Sequence, residues 1–304
     1  MKSFEVSVRT RRHKHEAVVK KSSNEINALI SLLGDEDGRV RDIARQQLLQ
    51  IGPEAEHYLR AATFADLEGK VRIEARHVLE KIRHEDLIES FYQLGLMEDE
   101  QIDLEHAVFL LARVGYTDLE IEPWRRELDR LARAIAVRIA PLSPWRDGRS
   151  IIETINSFLF EKEGFAANVE EYYDPDNSYL NRVLERRTGI PVSLSVIYLL
   201  VAQRLHLPVR GINMPVHFIC QFHTPQESFY FDPFNKGRII TAAECAKMLQ
   251  GTGHTFEDAF LAPVQTRTIL ARMLRNLVWI YYQREDMAKT ELLDRILKLL
   301  RMTE

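Results

Sequence analysis

A chain of 304 residues, 45% hydrophobic and 28% charged, has the composition of a globular protein with room for two or three packed units. Its 41 basic and 45 acidic side chains leave a formal net charge of −4, so the molecule as a whole is not built to hold phosphate by charge. No run of about 18 apolar residues offers a membrane-spanning helix, and two Cys residues, Cys220 and Cys245, cannot make a disulfide framework.

The N-terminus MKSFEVSVRTRRHKHE lacks the apolar core of a signal peptide, which together with the sparse Cys points to a reducing cytoplasm. Residues 1–22 read as a basic, solvated tail: Arg9, Arg11, Arg12 and Lys14 have no aromatic side chains interleaved among them, so the run argues against nucleic acid as a partner.

Residues 23–83 contain an internal repeat. GRVRDIARQQLLQI from Gly38 aligns with GKVRIEARHVLEKI from Gly69 at a period of 31, pairing Val40 with Val71, Ala44 with Ala75, Leu48 with Leu79 and Ile51 with Ile82. These positions share one helix face. An apolar segment precedes each copy, INALISLL and AEHYLRAA, so each unit is predicted to be a helix pair. Residues 84–145 continue helical, with Pro123 suited to a first helical turn.

The segment from 146 to 265 carries the specific signals. SIIETINSFLFEKEGF has core spacing at Ile151, Ile155, Phe158 and Leu159. YYDPDNSYLNRVLERRTG then offers a turn and a helix that Asn177 or Ser178 could cap. GIPVSLSVIYLLVAQRL predicts a buried helix starting near Ser193. ICQF and SFYFD flank HTPQES as strands flank a turn, which predicts a β-hairpin. Folding symmetrically about Thr224 and Pro225, it would set His217 opposite Asp232, Phe218 opposite Phe231 and Cys220 opposite Phe229. Opposed residues stand about 5 Å apart, near enough for a carboxylate to orient an imidazole. Residues 266–304 read as a helix pair broken near Asp286.

With NSYLNRVLERRTGIPVSLS, PVHF and DPFNKGR in view, the chain resembles the transglutaminase-like superfamily, and within it the bacterial SirB-type branch, over roughly residues 100 to 304. The resemblance implies an α+β, predominantly helical fold: a papain/transglutaminase-like core with a small antiparallel sheet, HEAT-like N-terminal helices and a C-terminal tetratricopeptide-like helix pair. It places His217 and Asp232 on the triad's His and Asp. The position of the nucleophilic Cys falls within Pro191 to Ser195, where no Cys stands.

Besides the possibility that the helical flanks carry the whole function and the core is a spacer, two readings follow. In one, the chain is a pseudoenzyme that binds a peptide or protein in the old substrate cleft. In the other, it is a Ser-dependent amidase or peptidase using Ser193 or Ser195 with His217 and Asp232; Ser193 could instead be the helix N-cap. Asn177, Arg187 and Asn235 are candidates for a polar cleft beside His217. No HExxH, zinc spacing or Gly-rich phosphate loop is present, so no metal or cofactor is expected.

Overall fold

The computed structural model describes residues 21–64, 69–144 and 146–301, and the basic segment expected over residues 1–22 lies almost wholly outside them. The chain divides into two compact units, Met1–Arg83 and His84–Glu304. Among the described residues it is predominantly helical, with a small antiparallel sheet.

The first unit holds α1 (Ser23–Leu32), α2 (Gly38–Ile51), α3 (Glu56–Phe64) and the beginning of α4 (Gly69–Leu96). Ser22 starts α1 with a capping box, its hydroxyl accepting from the Glu25 N–H while the Glu25 carboxylate accepts from the Ser22 N–H at 2.7 Å. Asp37 caps α2 by accepting from the Arg39 N–H at 2.9 Å. On the repeated faces, Ala44 and Leu48 are buried in one cluster with Ala75, Leu79, Ile26 and Leu59. The two copies differ at their ends: Val71 and Ile82 are buried, Val40 and Ile51 only partly. Arg45 on α2 reaches Glu74 on α4 at 2.8 Å.

The second unit is organised around α9 (Pro191–Arg204), in which every residue from Pro191 to Ala202 is buried. A helix apolar on all sides has no solvent face and belongs at the centre of a core. Its cluster takes in side chains of α5 (Leu104–Ala112), α6 (Glu122–Ile139), α7 (Gly148–Asn156), α8 (Leu180–Arg186), α11 (Thr266–Gln283) and α12 (Met287–Leu300). Leu292, Leu293, Ile296, Leu297 and Leu300 are the contribution of α12. Two short strands, β1 (Ala166–Ala167) and β2 (Thr188–Gly189), pair in parallel just ahead of α9.

A five-stranded antiparallel sheet covers another side of α9, in the order β6 (Arg238–Ile240), β5 (Ser228–Asp232), β4 (Ile219–His223), β3 (Val209–Ile212), β7 (Pro263–Val264). The hairpin forms, but its register corrects the expectation. Cys220 lies opposite Phe231, not Phe229, and Phe222 takes Phe229. The turn closes one residue later than assumed: His223 faces Ser228, the Thr224 N–H donates to the Glu227 carbonyl at 2.8 Å, and the Thr224 hydroxyl accepts from the Glu227 N–H at 3.0 Å. A shift of two in partner keeps each side chain on its face, so alternation alone could not detect it. Behind the sheet's other face, α10 (Ala242–Gly251) contributes Cys245 and Leu249 to a smaller cluster with Ile212 and Ile219.

Arg267, on the first turn of α11, is a buried cation whose guanidinium meets no carboxylate among the described residues. It donates instead to the carbonyls of Leu300 at 2.5 Å, Met97 at 2.7 Å and Gly95 at 3.4 Å. These acceptors sit at the ends of α4 and α12, where helix carbonyls lack intrahelical partners and the dipole favours positive charge. Arg267→Ala should therefore destabilise the chain by about 3 kcal/mol in urea unfolding, since it orphans several buried carbonyls at once. A loss below about 1 kcal/mol would show that water reaches those helix ends.

Candidate functional site

Asp232 ends β5 and caps the 3-10 turn Pro233–Asn235 that follows. Its Oδ1 accepts from the backbone N–H groups of Phe234 at 3.0 Å and Asn235 at 3.4 Å. Its Oδ2 accepts from the Asn235 side-chain amide at 2.6 Å and stands 2.8 Å from His217 Nε2. The side chain is 1% exposed. Burial by itself would push this carboxyl up, but the hydrogen bond and charge of His217, with the Asn235 donors, outweigh it and hold the group below the usual aspartate range. An ionised carboxylate only accepts, so His217 Nε2 carries the proton of this hydrogen bond.

His217 lies just outside β4, so the pair meets across the strand ends rather than as directly opposed residues. A tight turn delivers it: the His217 N–H donates to the Pro215 carbonyl at 2.8 Å and to Met214 at 3.3 Å. Val216 in that turn has φ 57, a conformation that costs a β-branched residue about 1–2 kcal/mol. The Phe234 ring meets the imidazole edge-on, with centroids 6.0 Å apart.

The serines occupy different environments. The helix begins at Pro191, two residues earlier than expected, with Ile190 as N-cap; Pro fits the first helical position because its missing N–H would have no partner there. Ser193 thus stands at the third helical position and is not the N-cap. Its hydroxyl donates to the Asn177 carbonyl at 2.6 Å, accepts from the Ile190 N–H at 3.0 Å and lies 3.1 Å from the Ile190 carbonyl. A Cβ at Gly189 would come within 2.6 Å of that oxygen, so the preceding strand needs glycine for this arrangement. Ser195 is equally buried and directs its hydroxyl at the Phe218 carbonyl, 3.5 Å away. No hydrogen bond joins either hydroxyl to His217 among the described residues.

Of the three polar candidates, only Asn235 touches the pair. Asn177 is buried: its amide donates to the carbonyls of Glu171 at 2.7 Å and Tyr172 at 3.2 Å, and its oxygen accepts from Asn168 at 3.0 Å. It therefore ties the 171–177 turn to the start of α9 and does not line a cleft, nor does it or Ser178 cap α8, whose N-cap is Tyr179. Arg187 ends α8 with φ 57, pairs with Glu127 and Glu163, and lies over the Phe165 ring at 4.6 Å. Both were drawn to the site by their closeness to the motif in sequence. Their side chains are held by backbone carbonyls and carboxylates that sequence alone does not identify.

Neither thiol is activated. Burial pushes Cys220 far up, against a small opposing effect of Ser195, and pushes Cys245 up to about 11. Sequence reasoning missed Phe234, whose ring meets the imidazole, and Tyr172, whose ring stands 6.3 Å from that of Phe234; the aromatic doublet YY before the DPDN turn was the available signal for Tyr172. Among the described residues no group of His, Cys, Asp and Glu forms a metal cluster, and no helix is long and apolar enough to cross a membrane.

The depressed Asp232 carboxyl gives a signed expectation. Its stabilisation is fully present above about pH 4 and is lost as pH falls through the lower folded-state value. Asp232→Asn should cost about 2 kcal/mol near pH 7 and lose less further stability than wild type between about pH 5 and pH 3. Parallel acid limbs in urea titrations of the two proteins would contradict the assignment.

The comparisons with known proteins agree on the family. Residues 122–275, half of the chain, match the transglutaminase-like superfamily. A UPF0162 protein of Xylella fastidiosa strain 9a5c is 36% identical over 221 residues, covering 70% of this chain and 77% of that protein. A UPF0162 protein of Vibrio cholerae is 31% identical over 150 residues, 47% of this chain and 54% of that one. The F-box only protein 21 of Mus musculus is 33% identical over 159 residues, half of this chain but 24% of its own length. No solved structure matches. The α+β core around α9 and the sheet is therefore a transglutaminase-like domain, and the chain belongs to the UPF0162 family within that superfamily.

Proposed function

We propose that this chain is a non-catalytic, peptide- or protein-binding member of its superfamily, in which His217 and Asp232 persist as a buried clasp. The observation that carries the reading is the placement of Ser193 and Ser195, whose hydroxyls are engaged by backbone groups and make no hydrogen bond to His217. A serine nucleophile needs its base in contact, because the hydroxyl is several pKa units harder to deprotonate than a thiol and a helix dipole does not make up the difference. The Cys220 thiol, raised by burial, offers no thiolate in its place.

The rest of the chain is read accordingly. Residues 23–83 form HEAT-like repeats, 84–145 lead into the core at 146–265, and 266–304 are a tetratricopeptide-like pair, in the arrangement of the SirB-type branch. Two buried free cysteines suit a cytoplasmic setting.

The competing reading, a Ser-dependent amidase or peptidase, is tested by treating the full chain with a fluorophosphonate probe and measuring intact mass. No adduct is expected on Ser193 or Ser195, and an adduct on either would contradict the binding reading. In parallel, Ser193→Ala should cost about 1–3 kcal/mol, because it strands a buried carbonyl and N–H. Unchanged stability would mean that the hydroxyl is free for other work.

A further inference from the structure

We propose that the guanidinium of Arg272, with the aromatic side chains of Tyr172, Tyr173 and Trp279, forms a carboxylate-binding subsite beside the His217–Asp232 pair. The proposal rests on the binding reading above and names the chemistry that such a site would take.

Arg272 lies on α11, half-buried, yet no carboxylate pairs with it among the described residues. Arg130, Arg182, Arg187 and Arg204 in the same unit each meet at least one. The protein offers Arg272 only two long contacts through Nη1, to the Asn213 side-chain oxygen at 3.4 Å and the Met214 carbonyl at 3.3 Å. Among the described residues Nε and Nη2 have no protein acceptor, and these are the two donors that a carboxylate engages side by side. The Met214 carbonyl also accepts from the His217 N–H, so the guanidinium and the imidazole hang from one backbone group. Burial disfavours the charge on Arg272, and nearby Arg275 adds to the effect while Tyr172 offsets it. An incoming anion would relieve that cost.

The surroundings select the kind of anion. Tyr172 and Tyr173 meet edge-on at 5.2 Å, and Tyr173 packs against Trp279 with centroids 4.4 Å apart. Tyr173 and Trp279 are 57% and 45% exposed, a large aromatic surface left to solvent; Tyr172, which meets Tyr173, lies near enough to Arg272 for their charges to interact. Trp279 follows Arg272 by seven positions, two turns along the same face of α11. One planar fork with an exposed aromatic cluster on the same side of α11 suits a singly charged carboxylate on an apolar body, such as a peptide's C-terminal carboxylate or an acidic side chain beside an aromatic residue. A phosphate dianion would ask for more positive charge.

The experiment uses the full chain, uniformly 15N-labelled, and follows arginine Nε–H and tryptophan indole resonances. Three probes are titrated: N-acetyl-phenylalanylglycine with a free carboxylate, the same dipeptide as its C-terminal amide, and N-acetyl-phenylalanylglutamate with only its α-carboxyl amidated. Inorganic phosphate is the fourth arm. At least one carboxylate probe should shift the Arg272 and Trp279 signals with an affinity about 10-fold or more above that of the neutral amide. The better of the two shows whether a chain terminus or a side chain supplies the group. Arg272→Met should remove that preference, and Arg272→Lys should restore only part of it because the fork is gone. Both variants are to be checked for wild-type melting. Equal binding of the neutral amide, full binding by a folded Arg272→Met, or tighter binding of phosphate would overturn the subsite while leaving the binding reading in place. Failure of every probe to perturb the chain anywhere would overturn both.

Discussion

A carboxylate removed from water has to be met on every side, and Asp232 is the place where this fold accepts that constraint. Four donors converge on it: two backbone N–H groups of the turn it caps, the Asn235 amide and the His217 imidazole. They come from the 3-10 turn that follows β5 and from the Met214–His217 turn before β4, while Asp232 itself ends β5. One side chain therefore fixes how three pieces of backbone meet at the sheet's edge. Removing any donor leaves a buried charge partly unmet, which costs more than the bond itself contributes. The strained φ of Val216 persists because the imidazole it delivers is held at its far end.

The buried helix α9 imposes the second constraint. A helix with no solvent face can carry hydroxyls only where carbonyls or N–H groups are waiting, and Ser193 and Ser195 are each matched in this way. In an acyl-transfer fold the tip of such a helix would present a reactive atom toward the imidazole. Here the tip is Pro191 and Val192, with the first hydroxyl turned back on the preceding strand through Gly189. On the proposed reading the pair keeps the means of orienting a base, while among the described residues neither serine hydroxyl is hydrogen-bonded to the imidazole. This combination leads to a binding surface as the simplest account of the site, with Arg272 and the exposed Tyr173 and Trp279 as its chemically distinctive border.

Much of this was legible in the residues because it rests on local rules. The repeated Ala and Leu positions on α2 and α4 are buried as helical periodicity requires, and the aromatic alternation of SFYFD and the turn residues of HTPQES made a hairpin. What could not be read were choices between near-equivalent local solutions. Thr224 rather than Pro225 anchors the hairpin turn through its hydroxyl, which moves the register by two without changing faces. Pro191 starts α9 and displaces Ser193 from the cap by two residues. Asn177 and Arg187 have partners that are fixed only when α6, α8 and α9 pack. Arg272 looks like an ordinary polar position on an amphipathic helix, and only the fold brings it to His217.

The central claim is that the imidazole stabilises the fold and does not serve a reaction. It is tested most directly by the unfolding free energy of full-length His217→Ala against wild type, measured in urea at neutral pH. The account predicts a loss of about 2–3 kcal/mol, the cost of leaving the Asp232 carboxylate buried without its imidazole donor. A variant as stable as wild type would contradict it, for then the pair would be poised for chemistry and the fold would stand without it.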